Sequence, residues 1–401
     1  MNARAGSVDA VVRAHLDHTF PACAVCVIHR GDRVLEQAWG HIDPDTRRLP
    51  ATPGTLFDFA SLTKLFTTTA LLALIGSRGL PLETALADLV PEFGALNPRG
   101  IDGGQDPHTK QPLPTPAEWA GKTVDARAVT LRHLLTHTSG LPPWRDVFNA
   151  AGPAPTPPLT PDPLPRRERW ARALAALVAY PFVAAPDGIV RYSDMGLMLL
   201  GEATARLHPT GDLEQAILQQ VIGQLDGTLC FNPVRSGRFE QSQTAPTEDD
   251  PVWRQRRVWG EVHDENACGV GGVAGHAGLF GTAGALAAFG ARWLGDREPF
   301  GVPAAIRAQA VRQQAATDGT RRGLGFALKA AEDSMAGDRL GLASFGHSGF
   351  TGTTLWIDPD AELVIAVLTN SVFYGRQSDG YARTHAFRRA LHDAVADACG
   401  V

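Results

Sequence analysis

Strand-like runs lie near both ends of this chain, and helix-like runs fill its middle. Residues 24–30 and 33–40 alternate apolar and polar around Gly31-Asp32, which predicts a β-hairpin with a two-residue turn. Residues 323–328, 344–345, 352–357 and 363–370 have the same character. Between them the period turns helical, at 63–78, 82–89, within 129–142 (capped by Thr130 and ended by Gly140 and Pro142), 167–179, 193–206, 212–225, 282–294 and 304–313, with 8–17 and 383–398 at the ends. The expectation is an α+β fold, with one antiparallel sheet built from both termini and flanked by helices, plus a mainly helical, loop-rich lobe. Residues 1–95 and 275–401 would form the first lobe and 96–274 the second. Two stretches without apolar period, 97–121 and the proline-dense 142–165, read as surface loops. The glycine-dense 261–281 reads as a third loop.

The most apolar of the helical runs begins Phe57-Asp58-Phe59-Ala60-Ser61-Leu62-Thr63-Lys64. Lys64 is the only charged residue between Asp58 and Arg78. Positions i and i+3 share a helix face, so the ammonium can reach the Ser61 hydroxyl. A serine is a weak nucleophile until a base takes its proton, and an apolar setting lowers a lysine's pKa towards that task. Only four lysines occur, against 33 arginines, and this is the only S-x-x-K. The plainer alternative is an N-cap serine beside a snorkelling lysine.

Three more clusters carry chemistry. Tyr192, in Val190-Arg191-Tyr192-Ser193-Asp194, opens a helix, and a phenol near a lysine can relay a proton. Gly346-His347-Ser348-Gly349-Phe350-Thr351-Gly352 opens a strand. Its glycines allow close approach, and the Phe350 and Ser61 N–H groups are candidate oxyanion donors. His347 could bind a carboxylate or assist proton transfer. The run Gly269-x-Gly271-x-x-x-Gly275 does not match a dinucleotide fingerprint, and no G-x-S-x-G occurs, so nucleotide binding and an α/β-hydrolase are both set aside.

Taken in order, Ser61-Leu62-Thr63-Lys64, Tyr192-Ser193-Asp194 and His347-Ser348-Gly349 resemble the three motifs of class C β-lactamases and their D-alanyl-D-alanine carboxypeptidase and esterase relatives. Leu131-Arg132-His133-Leu134-Leu135-Thr136-His137-Thr138-Ser139-Gly140-Leu141-Pro142 resembles a structural signature of the same family. The resemblance implies a β-lactamase/transpeptidase-like fold with its active site between the lobes. It implies a serine hydrolase working through an acyl-enzyme, with Ser61 as nucleophile, Lys64 and Tyr192 sharing the base role, and no cofactor or metal. The second motif usually ends in asparagine, so Asp194 points to a cationic or hydroxylated substrate. The third usually begins with lysine in true β-lactamases, so His347 points towards esterases and peptidases. The loop from Val262 to Phe280 resembles a subgroup acting on cell-wall peptides, which makes His263 and His276 candidates to line the site. A metal held by His263, Asp264 and His276 is the less favoured reading of that loop. A true β-lactamase and a catalytically silent binding module remain as alternatives.

The totals narrow the partners. A net charge of −5 without a basic run argues against nucleic acid, and the resemblance implies a small-molecule substrate, an ester, a muropeptide or a β-lactam. The five scattered cysteines read as reduced, buried thiols. No apolar leader or 18-residue apolar run is seen, so a cytoplasmic protein without a membrane span is expected. The oligomeric state stays open.

Overall fold

The computed structural model describes residues 2–401. Eight strands form the main sheet: β1 (Ala22–His29), β2 (Asp32–Gly40), β3 (Ala315–Thr317), β4 (Thr320–Arg322), β5 (Ala327–Leu328), β6 (Phe345–Ser348), β7 (Thr354–Asp358) and β8 (Leu363–Thr369). Their order is β3-β4-β5-β6-β7-β8-β1-β2, antiparallel throughout. The two ends of the chain meet where β8 pairs with β1, from Cys23 opposite Thr369 to His29 opposite Leu363.

Both faces of this sheet are covered, which is why β1 and β8 are apolar at almost every position. On one face Val25, Val27, Trp356, Ile365 and Val367 pack with Val8 and Val12 of α1 (Asn2–Arg13) and with Phe387, Leu391 and Val395 of the last helix, Gly380–Cys399. On the other face Ala24, Cys26, Leu355 and Val364 join the larger core. That core continues through α2 (Thr63–Ser77), α3 (Asp194–Leu207) and α4 (Ala283–Gly295); the last helix is hereafter α5. Phe66 of α2 stacks on Phe289 of α4 at 4.3 Å, and the Trp293 indole donates to Thr69 Oγ1 at 3.2 Å. The reactive-looking helix α2 thus lies behind α4, one layer away from the sheet.

Several expectations shift by a few residues for local reasons. The β1–β2 turn is Arg30-Gly31, not Gly31-Asp32: His29 pairs with Asp32, and both turn residues have positive φ (52° and 85°). The strand expected over 323–328 shrinks to Ala327–Leu328, because Gly325 turns the chain at φ +74°. The preceding hairpin β3–β4 lies outside the expected strands, and Asp318-Gly319 supplies its positive-φ turn. The loop at 261–281 contains a short helix, Glu265–Gly269, and a strand, Leu279–Gly281. That strand joins Phe57–Asp58 and Leu229–Phe231 in a small sheet, which carries the glycine-dense segment to the mouth of α2.

The segment Ala60–Arg78 is long and apolar enough to span a membrane by composition, contrary to the sequence reading, but most of it is buried inside the fold. It reads as a core helix. Cys23, Cys26, Cys230 and Cys268 are buried thiols, and burial pushes Cys26 up to about 12.

Candidate active site

Ser61 sits in a single 3-10 turn, Ala60–Leu62, that leads into α2. Ala60 has φ +48°, a left-handed conformation that costs a β-carbon-bearing residue about 1–2 kcal/mol. Asp58 holds it there: one carboxylate oxygen accepts from Ala60 N at 2.8 Å and the other from His263 N at 2.6 Å. Burial raises the Asp58 carboxyl to about 6, against the pull of those two N–H groups.

Lys64, one turn on, is 1% exposed. Its Nζ donates to Ser61 Oγ at 2.7 Å and to the His276 carbonyl at 3.1 Å. Asp194 Oδ1 lies 2.8 Å from the same nitrogen, an ion pair by distance but off the line of a directed hydrogen bond. The Tyr192 hydroxyl donates to Ser61 Oγ at 2.8 Å. Serine oxygen therefore receives two donors, the arrangement that favours an alkoxide.

The electrostatics depart from the expectation that an apolar setting would free the amine. Burial does lower the Lys64 pKa, but Asp194 and Tyr192 outweigh it and the net shift is upward. The resting lysine is an ammonium. Tyr192 also titrates higher than a free phenol, because its burial outweighs the nearby ammonium. Asp194, expected to meet substrate, meets Lys64 as well as lining the cavity.

The stretch at 131–142 holds the tyrosine motif in place. Thr130 caps its short helix, Leu131–Leu135, with His133 in a reciprocal capping box. Beyond it, Ser193 Oγ donates to the Pro142 carbonyl at 2.7 Å and Asp194 N to the Pro143 carbonyl at 2.9 Å. His137 Nδ1 accepts from Ser193 N at 3.1 Å, and its ring lies 4.7 Å from that of Tyr192. Burial, Arg322 and Lys64 keep His137 well below its usual pKa.

The third wall is β6 and the turn after it. Thr351 Oγ1 donates to the Asp58 carbonyl at 2.9 Å and Thr353 Oγ1 to the Phe59 carbonyl at 3.0 Å. These bonds fasten Gly349 and Phe350 to the residues just before Ser61. A β-carbon on Gly349 would lie 2.6 Å from the Phe59 carbonyl oxygen, so only glycine fits. His347 is buried, with Nδ1 on the Ser348 carbonyl at 2.7 Å and Nε2 without a partner. Burial first, then Arg322 and Lys64, hold it neutral. The Phe350 ring is 52% exposed at the cavity mouth, between His263 and Arg376.

His276 is fixed by its chain as much as by its ring. Its Nε2 pairs with Asp264 at 2.8 Å, while its carbonyl takes Lys64. The preceding Gly275 touches α3, where a β-carbon would come within 2.1 Å of the Leu197 carbonyl oxygen and 2.9 Å of Gly201 Cα. Gly275→Ala should therefore cost about 2 kcal/mol or more, read as a lowered midpoint in denaturant melts; unchanged stability would contradict this packing. His263 lines the same cavity as His276, as expected, but its Nδ1 is taken by Thr247 Oγ1 at 3.1 Å while His276 Nε2 pairs with Asp264, so the three do not converge on one point. No group of three potential metal ligands occurs among the described residues.

Ser61, Tyr192, Asp194, His276, Ser348 and Phe350 face one cavity of about 1090 Å³. Arg322 also lines it, 5.4 Å above the Tyr192 ring, and was not foreseen. An arginine on a short polar strand carries no distinctive sequence signal.

The family model described as Beta-lactamase matches residues 8–387. An Escherichia coli (strain K12) protein named "Putative D-alanyl-D-alanine carboxypeptidase" is 27% identical over 391 residues, covering 92% of this chain and 82% of that protein. Among solved structures, "EstCE1, a hydrolase with promiscuous acyltransferase activity" superposes with TM-score 0.66 at 19% identity, covering 98% of this chain and 99% of the other. A penicillin-binding protein homolog from Caulobacter crescentus gives 0.64 at 18% identity, covering 98% and 97%. At such identities the likeness shows the fold, which is β-lactamase/transpeptidase-like.

Proposed function

Because the chain belongs to the beta-lactamase family, we propose that it is a serine hydrolase acting by acyl transfer through Ser61, on an ester or a cell-wall-derived peptide or amide. The observation that carries this reading is the contact of one serine oxygen with Lys64 Nζ at 2.7 Å and Tyr192 OH at 2.8 Å, at the wall of a cavity.

The productive microstate is the one in which Lys64 has released a proton to solvent and Asp194 remains a carboxylate. The Ser61 oxygen attacks the substrate carbonyl carbon while its own proton moves to Lys64 Nζ. The tetrahedral oxyanion is held by the Ser61 and Phe350 N–H groups. The bond to the leaving group then breaks, and that group takes the proton from Lys64 through the Tyr192 hydroxyl. Water repeats the sequence on the acyl-enzyme, releasing the acid and restoring the Ser61 hydroxyl.

Asp194 sets the pH at which this begins. Its carboxylate raises the Lys64 pKa, so the amine form is scarce at neutral pH and grows as pH rises. In Asp194→Asn that support is gone and the Lys64 pKa falls. The ascending limb of kcat/KM should move to lower pH, and a limb that stays in place or moves upward would count against the role given to Asp194. Because Asp194 is already balanced by Lys64, it is a poor anchor for a cationic substrate.

A panel of aryl esters, D-alanyl-D-alanine peptides, muropeptides and nitrocefin tests the substrate class. Turnover of esters or peptides well above nitrocefin supports the reading. Nitrocefin as the best substrate would favour a true β-lactamase, and no turnover of any would favour a binding module. The name carried by the E. coli relative favours the peptide arm, and the esterase-like neighbour favours the ester arm.

A further inference from the structure

Arg388 lies on α5, remote in sequence from the serine, and is 4% exposed. Among the described residues no carboxylate pairs with it; burial lowers its pKa to about 10, which leaves it a cation at neutral pH. Its Nη2 donates to the Gly349 carbonyl at 2.6 Å and to the Thr353 carbonyl at 3.1 Å, Nη1 faces Met335 Sδ at 3.5 Å, and Nε has no partner. Burying a guanidinium without a counter-ion is costly, and a neutral donor would fasten a helix to a turn at less expense.

The carbonyl it grips explains the cation. Gly349 C=O and Phe350 N–H are the two ends of one peptide group. A positive charge on the oxygen draws electron density through the amide and makes the N–H a stronger donor. Packing around Gly349 is tight as well, since a β-carbon there would meet Thr353 Oγ1 at 2.2 Å and the Phe59 carbonyl at 2.6 Å. We propose that Arg388 is a positioning residue for acyl transfer, which holds and polarises the Gly349–Phe350 peptide so that the Phe350 N–H stabilises the oxyanion. This rests on the serine-hydrolase reading above.

The test is the carbonyl stretch of the acyl-enzyme formed by rapid mixing with a carbonyl-13C 4-nitrophenyl ester, alongside kcat and KM. A strong oxyanion donor weakens the acyl C=O bond and lowers its frequency. In Arg388→Met, which keeps the apolar stem, the band should move to higher wavenumber, with kcat about tenfold lower at near-constant KM, less than loss of a whole donor. Arg388→Gln, neutral but still a donor, should move the band less, and it decides the matter if the methionine variant does not fold. A wild-type acyl band that stays in place in the folded variants overturns the role of Arg388 alone. No acyl band in the wild type overturns the hydrolase reading and this one with it.

Discussion

Ser61→Ala is expected to lower turnover of whichever ester or peptide the chain accepts by about 10⁵-fold, since loss of a serine nucleophile removes the covalent route altogether. The fold should not suffer. Ser61 lies on a 3-10 turn held by Asp58 and by backbone bonds rather than by its own hydroxyl. Lys64 keeps Asp194 and the His276 carbonyl when the serine oxygen goes. Circular dichroism and the melting temperature should therefore match wild type. Turnover within tenfold of wild type in a folded S61A protein would place the chemistry elsewhere.

Lys64→Met carries the next largest effect. A positioned general base typically contributes about 10²–10⁴-fold, and kcat/KM should fall towards the upper end of that range, because Tyr192 is a neutral phenol that cannot take the proton by itself. The substitution also separates the electrostatic account from a structural one. Lys64 is buried, and so is the Asp194 Oδ1 that faces it, but Asp194 keeps 19% of its side chain exposed and lines the cavity, so water reaches the carboxylate from its cavity side. Methionine fills much the same volume without the desolvation cost of an ammonium. Stability should hold or rise while activity collapses. A large loss of stability would mean that the Lys64–Asp194 pair is chiefly a structural tie.

The order of strands and helices was legible because β1 and β8 are apolar on both faces and because Thr130, Ser193, Asp212 and Thr282 are recognisable helix caps, each accepting from a backbone N–H of its first turn. The Ser61–Lys64 contact followed from helical spacing alone. What spacing could not convey was the charge state. The carboxylate that keeps Lys64 protonated comes from a helix 130 residues later, and only tertiary packing brings it to 2.8 Å. The same holds for His137, Arg322 and Arg388. Their roles depend on which ring or carbonyl lies opposite, and no local pattern marks an arginine that will be buried without a carboxylate. The glycines at 269–281 misled in another way. Gly275 is there for contact with Gly201 on α3, and the segment expected as a loop holds a short helix and a strand.

Acylation of Ser61 is read by intact-protein mass spectrometry after exposure to a fluorophosphonate and, separately, to a penicillin, followed by peptide mapping. The expected result is a single adduct per chain with the fluorophosphonate, carried by the peptide containing Ser61 and absent from Ser61→Ala. Slow or absent penicillin acylation beside fast ester turnover would fit an esterase or peptidase. Failure of both reagents to label the folded wild-type protein, or labelling that persists in Ser61→Ala, would contradict a Ser61 acyl-enzyme.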